Sequence, residues 1–426
     1  MLGAPDGSAG GAAASIPVPS AEARRILPIS SCAEHATVTQ PPSGDHSSFD
    51  DLALDRLRQR RSAKWAAYPA DVLPAWVAEM DFPIAEPVKQ ALRAAIDLDD
   101  CGYARPKALS EAFAGFAAAR FGWDVDPARV VAVPEVMIGV GEVLRLVTAP
   151  GDGVVVNPPV YPPFFATITE VERRVVDVPL VRGADGWALD LAGLERAFAA
   201  GARAYLFCSP HNPVGRVFDR EELRAVAELA ARYDVAVLAD EIHAPLTLPG
   251  AAHTPFATVS EPLGVRAVVL TSASKGWNIP GLKCAVVAAG SAAMRDTLAP
   301  LRAPERLERV GHLGVLGTVA AFAEGGAWLD ALVAHLDRNR ALLASLLAEC
   351  LPEVGYVPPQ AGYLAWLDCR PLGLGDDPAR VFLTRGRVAL TRGLDFGTGG
   401  AGFARLNMGT SGELLREAVH RMRSSV

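Results

Sequence analysis

Lys275 is the first residue that suggests chemistry, because lysine is rare in this chain. The sequence has 36 arginines and only five lysines, which are Lys64, Lys89, Lys107, Lys275 and Lys283. A lysine amine can lose its proton, form a Schiff base with a carbonyl group and then act as a base, whereas an arginine guanidinium stays protonated. Lys275 follows an apolar segment and stands among small residues in Thr-Ser-Ala-Ser-Lys-Gly. This setting suggests a carbonyl cofactor, pyridoxal phosphate, although a solvated charge after a strand has the same local pattern.

Two other strand-like segments also end in polar residues. The run Phe-Cys-Ser-Pro-His-Asn-Pro-Val-Gly presents Asn212 between turn formers, and Val-Leu-Ala-Asp-Glu-Ile-His presents Asp240. Ligands in open α/β sheets bind just beyond the carboxyl ends of the strands, so Asn212, Asp240 and Lys275 are expected to face one crevice. Taken singly, Asn212 is a common turn former and Asp240 a common turn cap.

The elements that must position these residues alternate between helical and strand-like segments up to about residue 300. This alternation predicts an α/β fold with a mainly parallel central sheet flanked by helices. Helical spacing of apolar residues predicts helices at 86–96, 109–121, 137–148, 190–200 and 219–233. Asp219 and Glu222 form a capping box at the start of the last of these. Strands are predicted at 130–133, 153–156, 203–208, 235–239, 267–271 and 283–288.

The chain divides into four predicted segments. Residues 1–48 are rich in Ala, Gly, Ser and Pro and predict a disordered tail, because they have too few apolar groups to offset the entropy of ordering. Residues 49–84 form an N-terminal arm that joins the small domain, and residues 85–300 form the large cofactor-binding domain. Residues 301–426 form a smaller α+β domain, with a helix at 327–350, a strand at 362–368 and a helix from about 412.

Charge and cysteine content argue against several classes of function. The net charge is −7 and no run of basic residues occurs, which argues against nucleic-acid binding. No window reaches the roughly 18 uninterrupted apolar residues of a membrane helix. The six cysteines lack C-x-x-C spacing, so neither a zinc site nor a disulfide scaffold is indicated, and reduced thiols point to the cytoplasm. The expected partner is a small molecule.

Four motifs together resemble a known family. Asn-Pro-Val-Gly, Ala-Asp-Glu-Ile-His, Ser-Ala-Ser-Lys and Arg-Leu-Asn-Met-Gly are similar to the class I/II aminotransferase-like family of fold type I pyridoxal phosphate enzymes. Trp-Val-Ala-Glu-Met-Asp-Phe and Asp-Glu-Ile-His resemble its cystathionine β-lyase, or cysteine-S-conjugate β-lyase, branch. The resemblance extends from about residue 51 to the C-terminus and leaves out residues 1–48.

This resemblance implies roles for residues around the cofactor ring. Lys275 would hold the cofactor aldehyde and move the Cα proton. Asp240 would pair with the pyridinium nitrogen and keep it protonated. Asn212 and His243 would bond the ring hydroxyl oxygen, and Tyr161, in a proline-rich loop, would stack on the ring face.

The resemblance also implies a phosphate site. The turn before a predicted helix, with Val136 and Met137, offers free backbone N–H groups to an anion. Ser272 matches the family's phosphate-binding hydroxyl, and Lys283 falls near its usual cationic contact, although Lys283 is equally a charge at a strand edge. Tyr103 resembles the tyrosine that reaches the phosphate of the neighbouring subunit. The expected assembly is therefore a homodimer with shared active sites.

The substrate and the reaction follow from the same resemblance. Arg405 would bind the α-carboxylate of an amino acid, because its planar fork matches a carboxylate with two hydrogen bonds. His243 favours a carbon-sulfur β-lyase that cleaves cystathionine or a cysteine S-conjugate to a thiol, pyruvate and ammonia, because many aminotransferases of this fold have tyrosine there. An aminotransferase with a 2-oxo acid acceptor stays open, and so does a regulatory protein that binds a transcription factor. Pro245 stands where relatives often have an acid.

Two other motif interpretations fail. Ser-Ala-Ser-Lys matches the S-x-x-K of penicillin-recognising serine enzymes, but neither S-D-N nor K-T-G occurs in the chain. Gly139 and Gly141 begin a dinucleotide-binding fingerprint, yet its third glycine position is Leu144.

Overall fold

The computed structural model describes residues 47–183 and 186–426. The tail predicted at 1–48 lies outside these residues, except for its last two positions.

α-Helices in the described residues span Ser47–Asp50 (α1), Leu54–Arg58 (α2), Ala63–Ala66 (α3), Glu86–Asp97 (α4), Lys107–Phe121 (α5), Val136–Val147 (α6), Pro163–Glu170 (α7), Leu191–Ala199 (α8), Arg220–Arg232 (α9), Ala257–Ser260 (α10), Ala273–Gly276 (α11), Ala292–Thr297 (α12), Pro304–Leu307 (α13), His312–Glu324 (α14), Gly326–Cys350 (α15), Pro378–Gly386 (α16) and Gly412–Arg423 (α17). β-Strands span Leu73–Pro74 (β1), Val130–Val133 (β2), Gly153–Val156 (β3), Arg174–Asp177 (β4), Val181–Gly183 (β5), Gly186–Ala188 (β6), Ala204–Cys208 (β7), Ala236–Asp240 (β8), Ala267–Thr271 (β9), Ala285–Ala289 (β10), Gly355–Tyr356 (β11), Leu364–Asp368 (β12), Val388–Ala389 (β13), Thr391–Arg392 (β14) and Phe403–Asn407 (β15).

A seven-stranded sheet carries the strand ends that the sequence singled out. Its strand order is β2-β10-β9-β8-β7-β3-β4. β10 runs antiparallel to both of its neighbours, and the other neighbouring strands are parallel. Both faces of the sheet are covered: in β8, Val237 and Ala239 pack into one apolar cluster and Leu238 into the other. Burial on both faces explains the continuous apolar runs, and the predicted α/β fold with a mainly parallel sheet is confirmed.

Most predicted elements agree with the structure to within two residues. Strands predicted at 130–133, 153–156 and 267–271 coincide with β2, β3 and β9. The capping box is present at α9, where the Asp219 side chain accepts from Glu222 N–H and the Glu222 side chain accepts from Asp219 N–H, each at 2.8 Å. Reciprocal capping satisfies two backbone donors that the first turn of a helix leaves without partners.

Local backbone conformation shortens two predicted strands. β10 begins at Ala285 instead of residue 283, because Lys283 has a left-handed φ of 55° after a short 3₁₀ turn, Pro280–Leu282. β12 begins at Leu364 instead of residue 362, because Gly362 has a φ of 82°. A positive φ lies outside the extended region, so strand pairing cannot include Lys283 or Gly362.

A four-stranded antiparallel sheet, in the order β11-β12-β15-β14, lies in the C-terminal part of the chain. β15 was not predicted, because Arg405 and Asn407 interrupt its apolar pattern, yet all five of its residues are buried. Trp366 on β12 pairs with Arg405 on β15, which fixes the position of this arginine within a rigid sheet.

The N-terminal arm is ordered by contacts within itself and joined to the rest of the chain by strand pairing and hydrogen bonds. β1 pairs in parallel with β13. Lys64 Nζ lies 2.8 Å from Asp81 Oδ2 in an ion pair whose side chains are 1% and 3% exposed, and Trp65 Nε1 donates to Asp81 Oδ1 at 2.8 Å. The Asn278 side chain accepts from Met80 N–H at 2.8 Å and donates to the Met80 carbonyl at 2.9 Å. The arm is therefore part of the packed protein.

Asp45–Val426 form one compact unit, and the domain boundaries at 84 and 300 stay predictions. In the part of the chain that the structure describes, no single helix is long and apolar enough to cross a membrane. Only α14 and α15 together reach that length and composition, and they meet at a bend of 79°.

Candidate active site

A cavity of about 200 Å³ lies at the carboxyl ends of β7, β8 and β9. These neighbouring parallel strands place Cys208 beside Asp240 and Asp240 beside Leu270 in register, so the residues that follow them meet at one edge of the sheet. Predicted site residues that line the cavity are Val136, Met137, Tyr161, Asn212, Asp240, His243, Ser272, Lys275 and Lys283.

Lys275 presents its amine to this cavity from the short helix α11. Ser272 is the N-cap of this helix, and its hydroxyl accepts from Ser274 N–H at 3.0 Å. Lys275 Nζ donates to the Ala78 carbonyl at 2.8 Å. Burial, followed by the charge of Arg405, lowers the pKa of Lys275 to about 8, although Asp240 opposes the shift. The amine is therefore neutral in a large fraction of molecules near pH 8.

Asp240, the last residue of β8, is buried, and its carboxylate accepts a hydrogen bond from the backbone of the turn that follows. Ile242 N–H donates to Asp240 Oδ1 at 3.1 Å. Burial raises the pKa of Asp240 to about 7, and Glu241 adds to the rise, while the Ile242 N–H group and Lys275 oppose it. A cationic group beside this carboxylate would relieve the cost of its burial.

His243 is buried in the turn that follows β8. Burial, followed by the positive charges of Lys275 and Arg405, lowers the pKa of His243 to about 3. The imidazole is therefore neutral at physiological pH. Its Nδ1 atom has no hydrogen-bond partner within the described residues.

Arg405 reaches the site from β15, although it is not among the residues that line the cavity. Its Nη1 donates to Asn212 Oδ1 at 3.0 Å, and its Nη2 donates to Trp76 O at 3.3 Å and Thr391 Oγ1 at 3.2 Å. Burial lowers the pKa of Arg405 to about 10. Across residues 47–183 and 186–426 no carboxylate pairs with it, and its buried Nε has no partner. A buried guanidinium without a counter-ion is a fit for an anionic ligand.

The cavity lining also includes the predicted phosphate contacts. Val136 and Met137 open α6, whose N-cap, Glu135, makes no side-chain cap. The Ser272 hydroxyl donates to the Cys284 carbonyl at 2.6 Å, so it must rotate before it can donate to a phosphate. Lys283 Nζ lies 2.5 Å from Glu135 Oε1 on the rim. These residues offer backbone N–H groups and the Lys283 cation, and Glu135 competes for that cation.

Tyr161 and Tyr103 have different positions. Tyr161 lines the cavity, and burial raises the pKa of its hydroxyl, with Asp240 adding to the rise. Tyr103 is 81% exposed and does not line the cavity of its own chain.

Sequence reasoning missed several residues that complete the site. The Ala78 carbonyl accepts from both Lys275 Nζ and the Tyr363 hydroxyl, at 2.8 and 2.9 Å. Trp76 and Thr391 hold Arg405. The contributions of Ala78 and Trp76 are backbone carbonyls, which no side-chain pattern reveals. The arm motif that includes both residues was the available signal.

The residues present fit pyridoxal phosphate. Lys275 supplies an amine of lowered pKa, and Asp240 supplies a buried carboxylate that forms no ion pair with any described residue. His243 Nδ1 is a buried polar atom without a partner among the described residues. An aldehyde, a cationic ring nitrogen and a phosphate would match these groups and the N-terminus of α6.

Comparison with known proteins agrees with this geometry. A protein of Mycobacterium leprae named "Putative cystathionine beta-lyase" is 47% identical over 88% of this chain and 97% of its own length. The cystathionine beta-lyase of Corynebacterium glutamicum is 36% identical over 87% of this chain and 98% of its own. Cystalysin of Treponema denticola, whose crystal structure contains a pyridoxal 5'-phosphate cofactor, superposes with a TM-score of 0.82 and 27% identity over 86% of this chain and 96% of that one. The model of the family "Aminotransferase class I and II" matches residues 78–422, and the chain belongs to that family.

Proposed function

We propose that this protein is a pyridoxal phosphate-dependent carbon-sulfur β-lyase, which cleaves cystathionine or a cysteine S-conjugate to a thiol, pyruvate and ammonia. The observation that carries the proposal is the meeting of Lys275, Asp240 and His243 at one cavity beside Arg405, a buried cation with no carboxylate partner in the described residues. The names of the relatives from M. leprae and C. glutamicum support the same reaction.

The cofactor and the protein have separate tasks in this proposal. Pyridoxal phosphate, when bound, supplies an aldehyde that condenses with amines and a ring that accepts an electron pair from Cα. Lys275 would hold the cofactor and, when its amine is released and neutral, accept the Cα proton. Its pKa of about 8 suits this base near neutral pH. Asp240 would keep the ring nitrogen protonated, and Tyr161 would cover one face of the ring.

Arg405 would bind the α-carboxylate of the substrate. It is anchored by Asn212, Trp76 and Thr391, so its orientation is set before the ligand arrives. A pre-oriented guanidinium loses little side-chain entropy on binding, which favours two parallel hydrogen bonds to a carboxylate.

His243 would hold the ring hydroxyl oxygen without adding charge. A pKa of about 3 keeps the imidazole neutral, so it offers an N–H donor to that oxygen. After the Cα proton is removed, a thiolate leaves Cβ and a carbon-carbon double bond forms. Water then hydrolyses this product to pyruvate and ammonia. An aminotransferase would instead transfer the proton taken from Cα to the cofactor and pass the amino group to a 2-oxo acid.

We also propose a homodimer in which Tyr103 of one chain completes the phosphate site of the other. The support is its 81% exposure and its position outside the cavity of its own chain. Mixing a Tyr103→Phe protein with a Lys275→Ala protein is expected to restore part of the activity, because the hybrid dimer holds one site with both wild-type residues. No restoration despite confirmed subunit exchange would contradict shared sites. The cytoplasmic location stays a prediction from the cysteine pattern.

The reaction type has a direct test. The purified protein is incubated with cystathionine or with a cysteine S-conjugate, and separately with an amino acid plus 2-oxoglutarate. We expect thiol, pyruvate and ammonia in the first two reactions. If glutamate formation outpaces thiol release by a large factor at matched concentrations, the protein is an aminotransferase with a lyase-like histidine. If no amino acid reacts and a transcription factor co-purifies, the regulatory alternative replaces both.

A further inference from the structure

A buried acid-base pair involves Glu241, which lies between the proposed ring-binding residues Asp240 and His243 in the chain. His253 Nε2 lies 2.9 Å from Glu241 Oε2, and the two side chains are 2% and 4% exposed. Because an ionised carboxylate only accepts hydrogen bonds, His253 Nε2 is the donor. The second oxygen, Glu241 Oε1, accepts from Phe256 N–H at 2.7 Å. Both carboxylate oxygens are therefore engaged, and neither residue lines the cavity.

The backbone of Glu241 is fixed as firmly as its side chain. Its N–H donates to the Leu270 carbonyl at 2.8 Å, and its carbonyl accepts from Ala244 N–H at 2.9 Å. Thr271 Oγ1 donates to the same carbonyl at 3.4 Å. Glu241 thus ties the turn after β8 both to the neighbouring strand and, through its carboxylate, to the segment at 253–256.

This anchor lies between two residues that face the cavity. Asp240 immediately precedes Glu241, and His243 follows two residues later, and both line the cavity while Glu241 points away from it. Any rotation of the Glu241 backbone would turn both neighbours away from the ring site. The fixed side chain of Glu241 therefore orients the side chains of Asp240 and His243 toward the cavity.

The charge of Glu241 also acts on Asp240. Burial is the main cause that raises the pKa of Asp240, and the negative charge of Glu241 raises it further. A more basic carboxylate holds a cationic ring nitrogen more strongly. A buried pair of polar groups by itself is weak evidence for stability, since apolar replacements of similar volume are often neutral. The position of this pair therefore suggests a role in the site.

We propose that Glu241 and His253 are positioning residues, which orient Asp240 and His243 toward the cofactor and strengthen the hold of Asp240 on the ring nitrogen. This inference rests on the proposed pyridoxal phosphate function.

Four variants separate this role from a structural one. Glu241→Gln keeps an acceptor for Phe256 N–H and removes the charge. His253→Phe keeps the edge contact of the ring with Phe121 but leaves Glu241 Oε2 without its donor. His253→Gln supplies an N–H donor in place of the imidazole. Glu222→Gln is the control, because Glu222 is partly buried and ion-paired with Arg216 but does not line the cavity.

The measurements are the dissociation constant of pyridoxal phosphate, read from absorbance and fluorescence titration of the cofactor-free protein, and kcat and KM for thiol release. Glu241→Gln and His253→Phe are expected to weaken cofactor binding roughly fivefold to tenfold and to lower kcat by a similar factor, with KM changed less than about twofold. His253→Gln should restore both values to near wild type, and the control should leave them unchanged.

Unchanged cofactor affinity and kcat in Glu241→Gln and His253→Phe, with only a lower melting temperature, would show a structural pair and overturn the inference. Equal losses in His253→Phe and His253→Gln would overturn it as well, because the donor would then not matter. If Glu241→Gln does not fold, the two His253 variants carry the test. A wild-type protein that binds the cofactor but releases no thiol contradicts the proposed reaction and leaves the affinity comparison valid, whereas failure to bind the cofactor overturns both proposals.

Discussion

Replacing Asp240 with asparagine is expected to stabilise the cofactor-free protein at pH 8 and yet to abolish most of its activity. Burial raises the pKa of Asp240 to about 7, from an ordinary value of 3.8. Between these two pH values the folded protein binds more protons than the unfolded chain, so this carboxyl makes stability fall as pH rises from about 4 to about 7. Above about pH 7 the full free-energy cost of burying the ionised Asp240 carboxylate is present.

The size of the effect follows from the pKa difference. About three pKa units correspond to about 4 kcal/mol, as an upper limit for this group. Unfolding of roughly 380 residues carries an entropy near 0.8 kcal/mol per kelvin, so the expected rise in melting temperature is about 5 °C or less. Asparagine keeps the oxygen that accepts from Ile242 N–H, so the hydrogen bond of the turn is preserved.

The assay is thermal unfolding of the cofactor-free wild type and Asp240→Asn at pH 5 and pH 8, with one scan rate throughout. The variant should melt higher at pH 8, and its advantage should shrink at pH 5. Added pyridoxal phosphate should stabilise the wild type more than the variant, because asparagine cannot pair with a cationic ring nitrogen. Asp234→Asn, at a side chain that is 78% exposed, is the control and should show no such difference. Equal melting temperatures of wild type and Asp240→Asn at pH 8 would refute the argument from burial.

Three further changes test other parts of the site. Lys275→Ala should abolish both borohydride fixation of the cofactor to the protein and turnover, and a fully active variant would remove Lys275 from the reaction. Arg405→Lys should raise KM at least tenfold while kcat changes less, because the carboxylate contact precedes proton transfer, and an unchanged KM would count against that contact. Lys64→Met should destabilise the protein by roughly 3–5 kcal/mol, because it leaves Asp81 buried without its cation; a melting temperature equal to that of the wild type would contradict this.

Residues that follow strand ends were predictable, because local chemistry marks them. A rare lysine among small residues, an asparagine between prolines and an aspartate after an apolar run each carry a signal in the chain itself. The rule that ligands bind beyond the carboxyl ends of parallel strands then brought Asn212, Asp240 and Lys275 to one edge. The structure places all three at the same cavity.

Contacts made by the backbone and by distant segments were not predictable in this way. The Ala78 carbonyl meets Lys275 Nζ across 197 positions of sequence, and Asn212 meets Arg405 across 193. In each pair, the sequence around one residue gives no sign that the other residue will contact it. β15 was missed for a related reason, since the arginine that it carries looks exposed until the rest of the sheet buries it.

The sequence by itself determined the kind of fold, the strands that end in polar residues and the candidate groups for chemistry, because apolar periodicity and residue type are local properties. The tertiary structure alone decided which groups are buried and which charges lack partners. Burial lowers the pKa of Lys275 to about 8 and raises that of Asp240 to about 7, and neither change can be read from neighbours in the chain. The pairing of Glu241 with His253 belongs to the same class, since a carboxylate and an imidazole that are 12 residues apart become one unit only when the fold removes both from water.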